Sequence, residues 1–454
     1  MNQIKTDSAI SYENWIIIWF FILLYGPYVP LFNVPVRLDH FLVPLAGLVL
    51  LFYSVKKREN PVPSYLYPFL GFILTGFIST FFSVRTGLFH VETVSFLADT
   101  EAHLRIVIIV LVFRTLVRQQ NIDLKRIVKI LFLAAIPLAI FGFLQIVFPR
   151  NEDILKIGPF TEWLYTGRHS RISVVAACVG VRAVSTFYHP GNFSLFCCLI
   201  VILALLSGKS IGLTQKKFFS GLMCIMIGWG SAISKGFLGG VFFLAPYLLV
   251  RKKFLPLKQL LLALVFTLLI LSKVSPYSML CYKGYLMPQS MISYYNIFFG
   301  SRFGHIELKK TVPDNNENAY ESDEISDKDQ TALFIFKRGN LNDSIDVFKK
   351  HPLSGSGYST NVKSGDSMMI HILVRGGLLG SFLFIMFIFM FAKKIFDNGR
   401  KKEDSSLHES WIVAVILFSI MGILFPTFVQ DRTSDVFWTL GALLAEEKSM
   451  KDAV

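Results

Sequence analysis

The sequence predicts an all-α integral membrane protein, with about twelve membrane-spanning helices and a large extracytoplasmic loop between helices 9 and 10. Three observations predict it. Of 454 residues, 53% are hydrophobic and only 17% are charged, with a mean hydropathy of +0.54, where a soluble domain carries about 25% charged residues. The apolar residues fall into blocks of spanning length. The basic residues gather in alternate connections between those blocks.

The blocks are 14–32, 39–54, 66–83, 102–117, 128–148, 192–207, 218–234, 236–250, 257–272, 368–392, 410–429 and 433–446. A helix crosses a bilayer with roughly 17–25 apolar residues, and each block must be helical because hydrocarbon leaves backbone groups no other partner. The first run, from Trp15, lacks a basic leader and a small-residue cleavage site, so it reads as an uncleaved first span.

Direction follows from charge. Lys56–Arg58, Arg118 with Lys125 and Arg126, Lys209 with Lys216 and Lys217, Arg251–Lys253, and Lys393–Lys402 all follow even-numbered blocks. The positive-inside rule puts these connections and both termini in the cytoplasm. The formal net charge of +14 then reads as Lys and Arg beside anionic headgroups, with no nucleic acid implied. Five cysteines, Cys178, Cys197, Cys198, Cys224 and Cys281, lie mostly in apolar runs, with no metal-ligand spacing and no disulfide framework.

The chain divides into 1–272, with nine spans and an outer loop near 149–191; 273–367, the large extracytoplasmic loop; and 368–454, with three spans and a cytoplasmic tail. The acidic stretch Asp314–Asp329 has little to bury. Beyond it, apolar residues at helical spacing predict a short amphipathic helix from about Asn342 to Lys350, ending before Pro352. Trp15, Trp163, Trp411 and Trp438 read as interface anchors, Trp163 being the one that falls in an outer loop.

Four features fall outside the membrane on this topology. Arg182-Ala-Val-Ser-Thr-Phe-Tyr-His-Pro-Gly-Asn192 precedes the sixth span, with Asn192 as a candidate N-cap. Ser234-Lys235-Gly236 makes the turn between the seventh and eighth. Lys337-Arg338 leads to His351-Pro352-Leu353-Ser-Gly355-Ser-Gly357-Tyr358, a Gly-rich turn that either presents N–H groups to an anion or is a flexible return to the membrane. Asp366, a base or an N-cap, precedes His371 and Arg375-Gly-Gly-Leu-Leu-Gly380. A charge such as Arg375 inside a span must be paired, solvated or functional. Alone, each has a plain alternative: Arg182 snorkelling to headgroups, Lys235 facing water, His371 facing other helices. Together they put Arg182, Lys235, Arg338 and Asp366 on one side, and cations there suit a diphosphate.

In this order, the four motifs resemble the O-antigen polymerase/ligase family of bacterial polysaccharide assembly. The resemblance rests on an Arg-led segment ending Phe187-Tyr-His-Pro190, on Ser234-Lys235-Gly236, on Arg338 through His351-Pro352-Leu353-Ser-Gly355-Ser-Gly357, and on Asp366 followed by Gly377-Leu-Leu-Gly380. It implies glycosyl transfer on the periplasmic face of the bacterial inner membrane. The donor is a glycan on undecaprenyl diphosphate and the acceptor a sugar hydroxyl of a lipid-linked repeat unit. No cofactor and no metal are implied. Arg182, Lys235, Arg338 and Lys337 would hold the diphosphate, Arg182 and Arg338 stabilise the leaving group, and Asp366 act as general base. Membrane lipids and a chain-length regulator membrane protein are candidate partners. Ligases of the family usually carry His where Asp366 aligns, which favours polymerase over ligase, and many members carry Arg where Lys235 stands. The alternatives are a ligase transferring glycan to lipid A core or protein, and, in another class, a transporter or lipid-linked glycan flippase.

Overall fold

The computed structural model describes residues 12–31, 34–57, 62–86, 93–119, 122–147, 174–175, 180–181, 183, 185–187, 190–208, 211–232, 234–274, 340–358, 367–422, 427–428 and 431–447. The helices are α1 (Tyr12–Tyr25), α2 (Leu38–Lys57), α3 (Tyr67–Thr86), α4 (Thr93–Gln119), α5 (Leu124–Val147), α6 (Pro190–Ser207), α7 (Gln215–Ser231), α8 (Lys235–Val250), α9 (Phe254–Val274), α10 (Asn340–Lys350), α11 (Met368–Gly399), α12 (Ser406–Met421) and α13 (Asp431–Glu446). Two small antiparallel hairpins accompany them: β1 (Tyr28–Leu31) with β2 (Val34–Arg37), and β3 (Val174–Val175) with β4 (Gly180–Val181).

Every predicted block contains a helix, and α10 occupies the place of the amphipathic helix. Ser64–Thr86, Leu124–Val147, Phe254–Val274 and Met368–Gly399 are each long and apolar enough to cross a membrane. The outer surface is apolar to match. Phe52 on α2, Phe81 on α3, Phe266 on α9 and Phe389 on α11 are all exposed, and so broad an apolar exterior needs lipid around it. The chain is a membrane-embedded, all-α protein.

α6 and α13 form the centre. Their side chains from Gly191 to Leu206 and from Arg432 to Ala445 are buried all round, as a helix with no polar face requires. α3 packs on α11, α5 on α7, α4 on α13 and α12 on α6. Between helices in lipid the drive is close packing rather than escape from water, so small residues sit at the crossings. A Cβ at Gly228 would meet Ala139 at 2.6 Å, and one at Gly441 would meet the Trp411 ring at 2.7 Å.

That packing corrects the reading of two tryptophans. Trp411 and Trp438 are 1% and 0% exposed, their indole N–H groups donating to the carbonyls of Phe437 and Phe428. They lie on α12 and on the central α13, packed against Phe437 and Phe428, so their rings fill core instead of anchoring an interface. Trp15, 52% exposed, suits the anchor role; Trp163 lies outside the described residues.

Ion pairs gather the predicted cytoplasmic connections at one end of the bundle. Arg126 pairs with Glu13, Lys125 with Asp404, Lys253 and Arg251 with Glu409, and Arg114 and Arg118 with Glu446. Glu409 holds the exposed Arg251 guanidinium above its usual pKa. The starts of α4, α8, α11 and α13 therefore lie at the opposite end.

Candidate functional site

At that opposite end the chain neighbours of the predicted site residues converge. Ala183, next to Arg182, donates its N–H to the Ser231 carbonyl at 3.0 Å, at the end of α7. Lys235 is the first residue of α8, capped by Ser234, whose Oγ accepts from Gly236 N–H at 3.0 Å. A Cβ at Gly236 would stand 3.0 Å from Met421 Cε. The next residue, Gly422, accepts the Met368 N–H at 2.8 Å at the start of α11, just after Asp366. Arg182, Arg338, Lys337 and Asp366 lie outside the described residues, as do Cys178 and Cys281; of Lys235 only the backbone position is described.

The Ser185–Phe187 segment is buried rather than lying loose on the membrane. Ser185 adopts φ 51°, a left-handed conformation rare for a residue with a Cβ. Gln145 Oε1 accepts its N–H at 2.8 Å, and its Oγ donates to the Leu138 carbonyl at 2.7 Å. Thr186 donates to the Leu24 carbonyl, which Arg432 also caps at 2.9 Å. A cation there complements the negative end of α1. Two cap assignments are corrected. α6 begins at Pro190, so Asn192 is two residues inside it, in keeping with proline's preference for a first turn. The N-cap of α11 is Ser367, whose Oγ accepts from Ile370 N–H, not Asp366.

The Gly-rich turn is neither an open anion nest nor a flexible return. α11 is interrupted at Gly377 (φ 62°, ψ −161°), and the 352–357 turn fills the gap. Leu378 and Leu379 donate to the carbonyls of Pro352 and Leu353 at 2.8 and 3.0 Å. In return Ser356 and Gly357 donate to Val374 and Arg375 at 2.7 and 3.0 Å. These bonds satisfy groups freed by the helix break, as lipid demands, and the N–H groups of Gly355, Ser356, Gly357 and Tyr358 are spent on protein. α3 grips the other side. Ser79 and Ser83 donate to the carbonyls of Ser354 and Ser356, and Thr80 Oγ1 accepts from Tyr358 N–H at 2.7 Å.

Arg375, beside the break, is paired as a charge within a span must be. Its partner is Asp99 on α4, at 2.7 Å, and it also donates to the Gly357 carbonyl. His103, one turn along α4, stacks on His371 with ring centroids 6.1 Å apart and packs on Tyr358 at 5.3 Å. Burial and the nearby Asp99 charge push the Tyr358 phenol up, so it stays protonated.

A second buried group lies farther along α4. Arg105 donates to Asp435 on α13 at 2.9 Å and also pairs with Asp39. Arg37 donates to Asp39 at 2.8 Å and stands 3.7 Å from Asp435. All four are buried, and two cations balance two carboxylates, as burial without water requires.

Sequence reading missed Asp99, His103, Arg105 and Asp435 as site candidates. The available signal was the spacing of Asp99 and His103, four apart and so on one helix face, beside an otherwise apolar run. No protein-family model matches the chain, and no curated protein matches it either.

Proposed function

We propose that the protein is a polysaccharide polymerase, crossing the inner membrane about twelve times, with its site at the end opposite the basic connections. It transfers a glycan from undecaprenyl diphosphate to the sugar hydroxyl of a lipid-linked repeat unit. The acceptor oxygen attacks the anomeric carbon, the carbon–oxygen bond to the diphosphate breaks, and the hydroxyl proton passes to Asp366. Arg182, Arg338, Lys235 and Lys337 offset the charge on the departing diphosphate. Arginine suits the part because its fork matches phosphate oxygens. An unperturbed carboxylate is a weak base, so Asp366 acts through position or a raised pKa.

One observation carries the reading. Ala183, Gly236 and Met368, neighbours of Arg182, Lys235 and Asp366, are joined through Ser231, Met421 and Gly422 at one end of the bundle, although up to 185 positions separate them in the chain. The proximity of these three neighbours supports a single site for motifs far apart in sequence. The test is the glycan banding pattern of cells lacking the protein, rescued by wild type or by Arg338→Ala. Loss of the long-chain ladder, with a single capped repeat left and no rescue by the variant, supports a polymerase. Unattached ladder material in the deletion strain points instead to a ligase.

A transporter or flippase is the second reading, and the buried Arg37, Asp39, Arg105 and Asp435 group favours it, since ionisable groups inside a membrane often mark a transport path. Loss of lipid-linked glycan from the outer leaflet in the deletion strain would select it.

A further inference from the structure

In the cluster of Asp99, His103, Tyr358, His371 and Arg375, the Tyr358 Oη and His103 Nε2 atoms are buried and have no hydrogen-bond partner among the described residues. Tyr358 is 0% exposed and His103 is 1% exposed. A polar atom buried without a partner loses its hydration and recovers nothing, so native structures rarely leave one unfilled. Here two occur on neighbouring rings whose centroids are 5.3 Å apart.

The chemistry of the occupant follows from the protons. His103 Nδ1 lies 2.6 Å from the carbonyl oxygen of Asp99. A carbonyl can only accept, so Nδ1 carries the hydrogen and Nε2 of the neutral ring presents a lone pair. Tyr358 Oη is protonated and can donate. The site therefore asks for a group that gives a hydrogen to His103 and takes one from Tyr358. A diphosphate diester or an ionised carboxylate has no hydrogen to give. Among the described residues the Arg375 guanidinium pairs with Asp99 at 2.7 Å and donates to the Gly357 carbonyl, so this cation is matched by one carboxylate. A neutral hydroxyl meets both demands.

The position suits a glycan. His371 lies four residues, about 6 Å, along α11 from its Ser367 cap, at the same end of the bundle as the converging motifs. Tyr358 is placed there by the turn that fills the α11 break. Gly76 on α3 makes room for its ring, since a Cβ there would stand 2.6 Å from Tyr358 Cζ.

We propose that His103 and Tyr358 form a hydroxyl-binding subsite for a sugar of the lipid-linked glycan, with His103 Nε2 as acceptor and Tyr358 Oη as donor. This rests on the polymerase reading for the identity of the sugar. The other source of the same chemistry is an ordered water.

The experiment uses full-length protein in nanodiscs and, as probe, the labelled lipid-linked glycan extracted from the deletion strain. Binding, elongation and the thermal stability of ligand-free protein are measured for wild type, Tyr358→Phe, His103→Gln and His103→Phe. Gln keeps an acceptor near the position of Nε2. The expected result is about tenfold weaker glycan binding for Tyr358→Phe and His103→Phe, the scale of one lost hydrogen bond to a ligand. His103→Gln stays within about threefold of wild type, and ligand-free Tyr358→Phe is as stable as wild type or more so. Unchanged binding in Tyr358→Phe overturns the subsite. If ligand-free Tyr358→Phe also melts several degrees lower, the occupant is a structural water. Tyr358-dependent binding by a wild type that elongates nothing leaves the subsite standing and removes the polymerase reading. Elongation by wild type, with Tyr358→Phe unchanged in binding and rate, removes the subsite alone. A wild type that binds no lipid-linked glycan removes both.

Discussion

The Gly357 N–H donates to the Arg375 carbonyl at 3.0 Å, tying the last turn of the long connection to the point where α11 breaks. Two motifs that read as separate in the sequence, His351–Gly357 and Arg375–Gly380, are one structural unit. Each satisfies the backbone groups that the other exposes. The long connection is thus anchored on the helix that carries His371 and Arg375.

The unit depends on glycine at two places. Gly377 has φ 62° and ψ −161°, a region open essentially to glycine, and a Cβ there would meet the Gly355 nitrogen at 2.5 Å. Gly377→Ala should cost about 3 kcal/mol or more, combining backbone strain and overlap. Gly357→Ala, at φ 82° against the Thr80 backbone, should behave alike. Gly212→Ala is the control. It too has positive φ, but nothing lies within 4 Å of its Cβ, so it should cost only about 1 kcal/mol. Thermal unfolding of the purified variants reads the order; equal losses at all three positions would contradict the docking.

Thr80→Val tests the grip of α3 on the same turn. It keeps the shape but removes the acceptor of Tyr358 N–H. A buried donor left unpaired costs about 1–3 kcal/mol, so the variant should melt lower. Proteolysis between α10 and α11 should also become faster. An unaltered melting point would mean that Thr80 does not hold the turn.

The buried charge group should respond as a unit. Arg105→Met leaves Asp39 and Asp435 short of a cation and should destabilise the protein by about 3–5 kcal/mol. Adding Asp435→Leu restores the balance and should recover much of the loss, because removing a buried pair costs less than breaking it. Additive losses, measured as a double-mutant cycle on folded yield and unfolding, would show that the two side chains are independent.

Sidedness gives a further check. Cysteine placed at Lys252, in the exposed turn after α8, should react with an impermeant maleimide only from the cytoplasmic side. Cysteine placed at Leu353, 69% exposed in the turn against α11, should react only from the outside. Labelling of both from one side would overturn the topology that puts the candidate site outdoors.

The helices were legible because lipid imposes a simple rule: a long apolar run must be helical wherever it crosses. The rule weakens where charges interrupt the run. The fourth block read as 102–117, whereas α4 extends from Thr93 to Gln119, because Asp99 and Glu101 are polar in sequence yet paired with Arg375 and Arg105. The partner of Arg375 was illegible for a related reason. The need for a partner was legible, but Asp99 comes from another helix, 276 positions earlier in the chain. The same holds for Arg105 and Asp435, 330 positions apart. The Gly-rich turn was visible as a motif, but its role depended on a helix break that hydropathy does not register. Trp411 and Trp438 sit near block ends and so read as interface residues; only packing shows that they are core.

The central claim is polymerisation of a lipid-linked glycan, and reconstitution tests it most directly. Purified protein in liposomes receives lipid-linked repeat units alone, with no nucleotide sugar, and products are resolved by size. The account predicts a ladder of lengthening glycan with release of undecaprenyl diphosphate, abolished by Arg338→Ala. Repeat units that stay single, under conditions where the protein is folded and binds them, would contradict it.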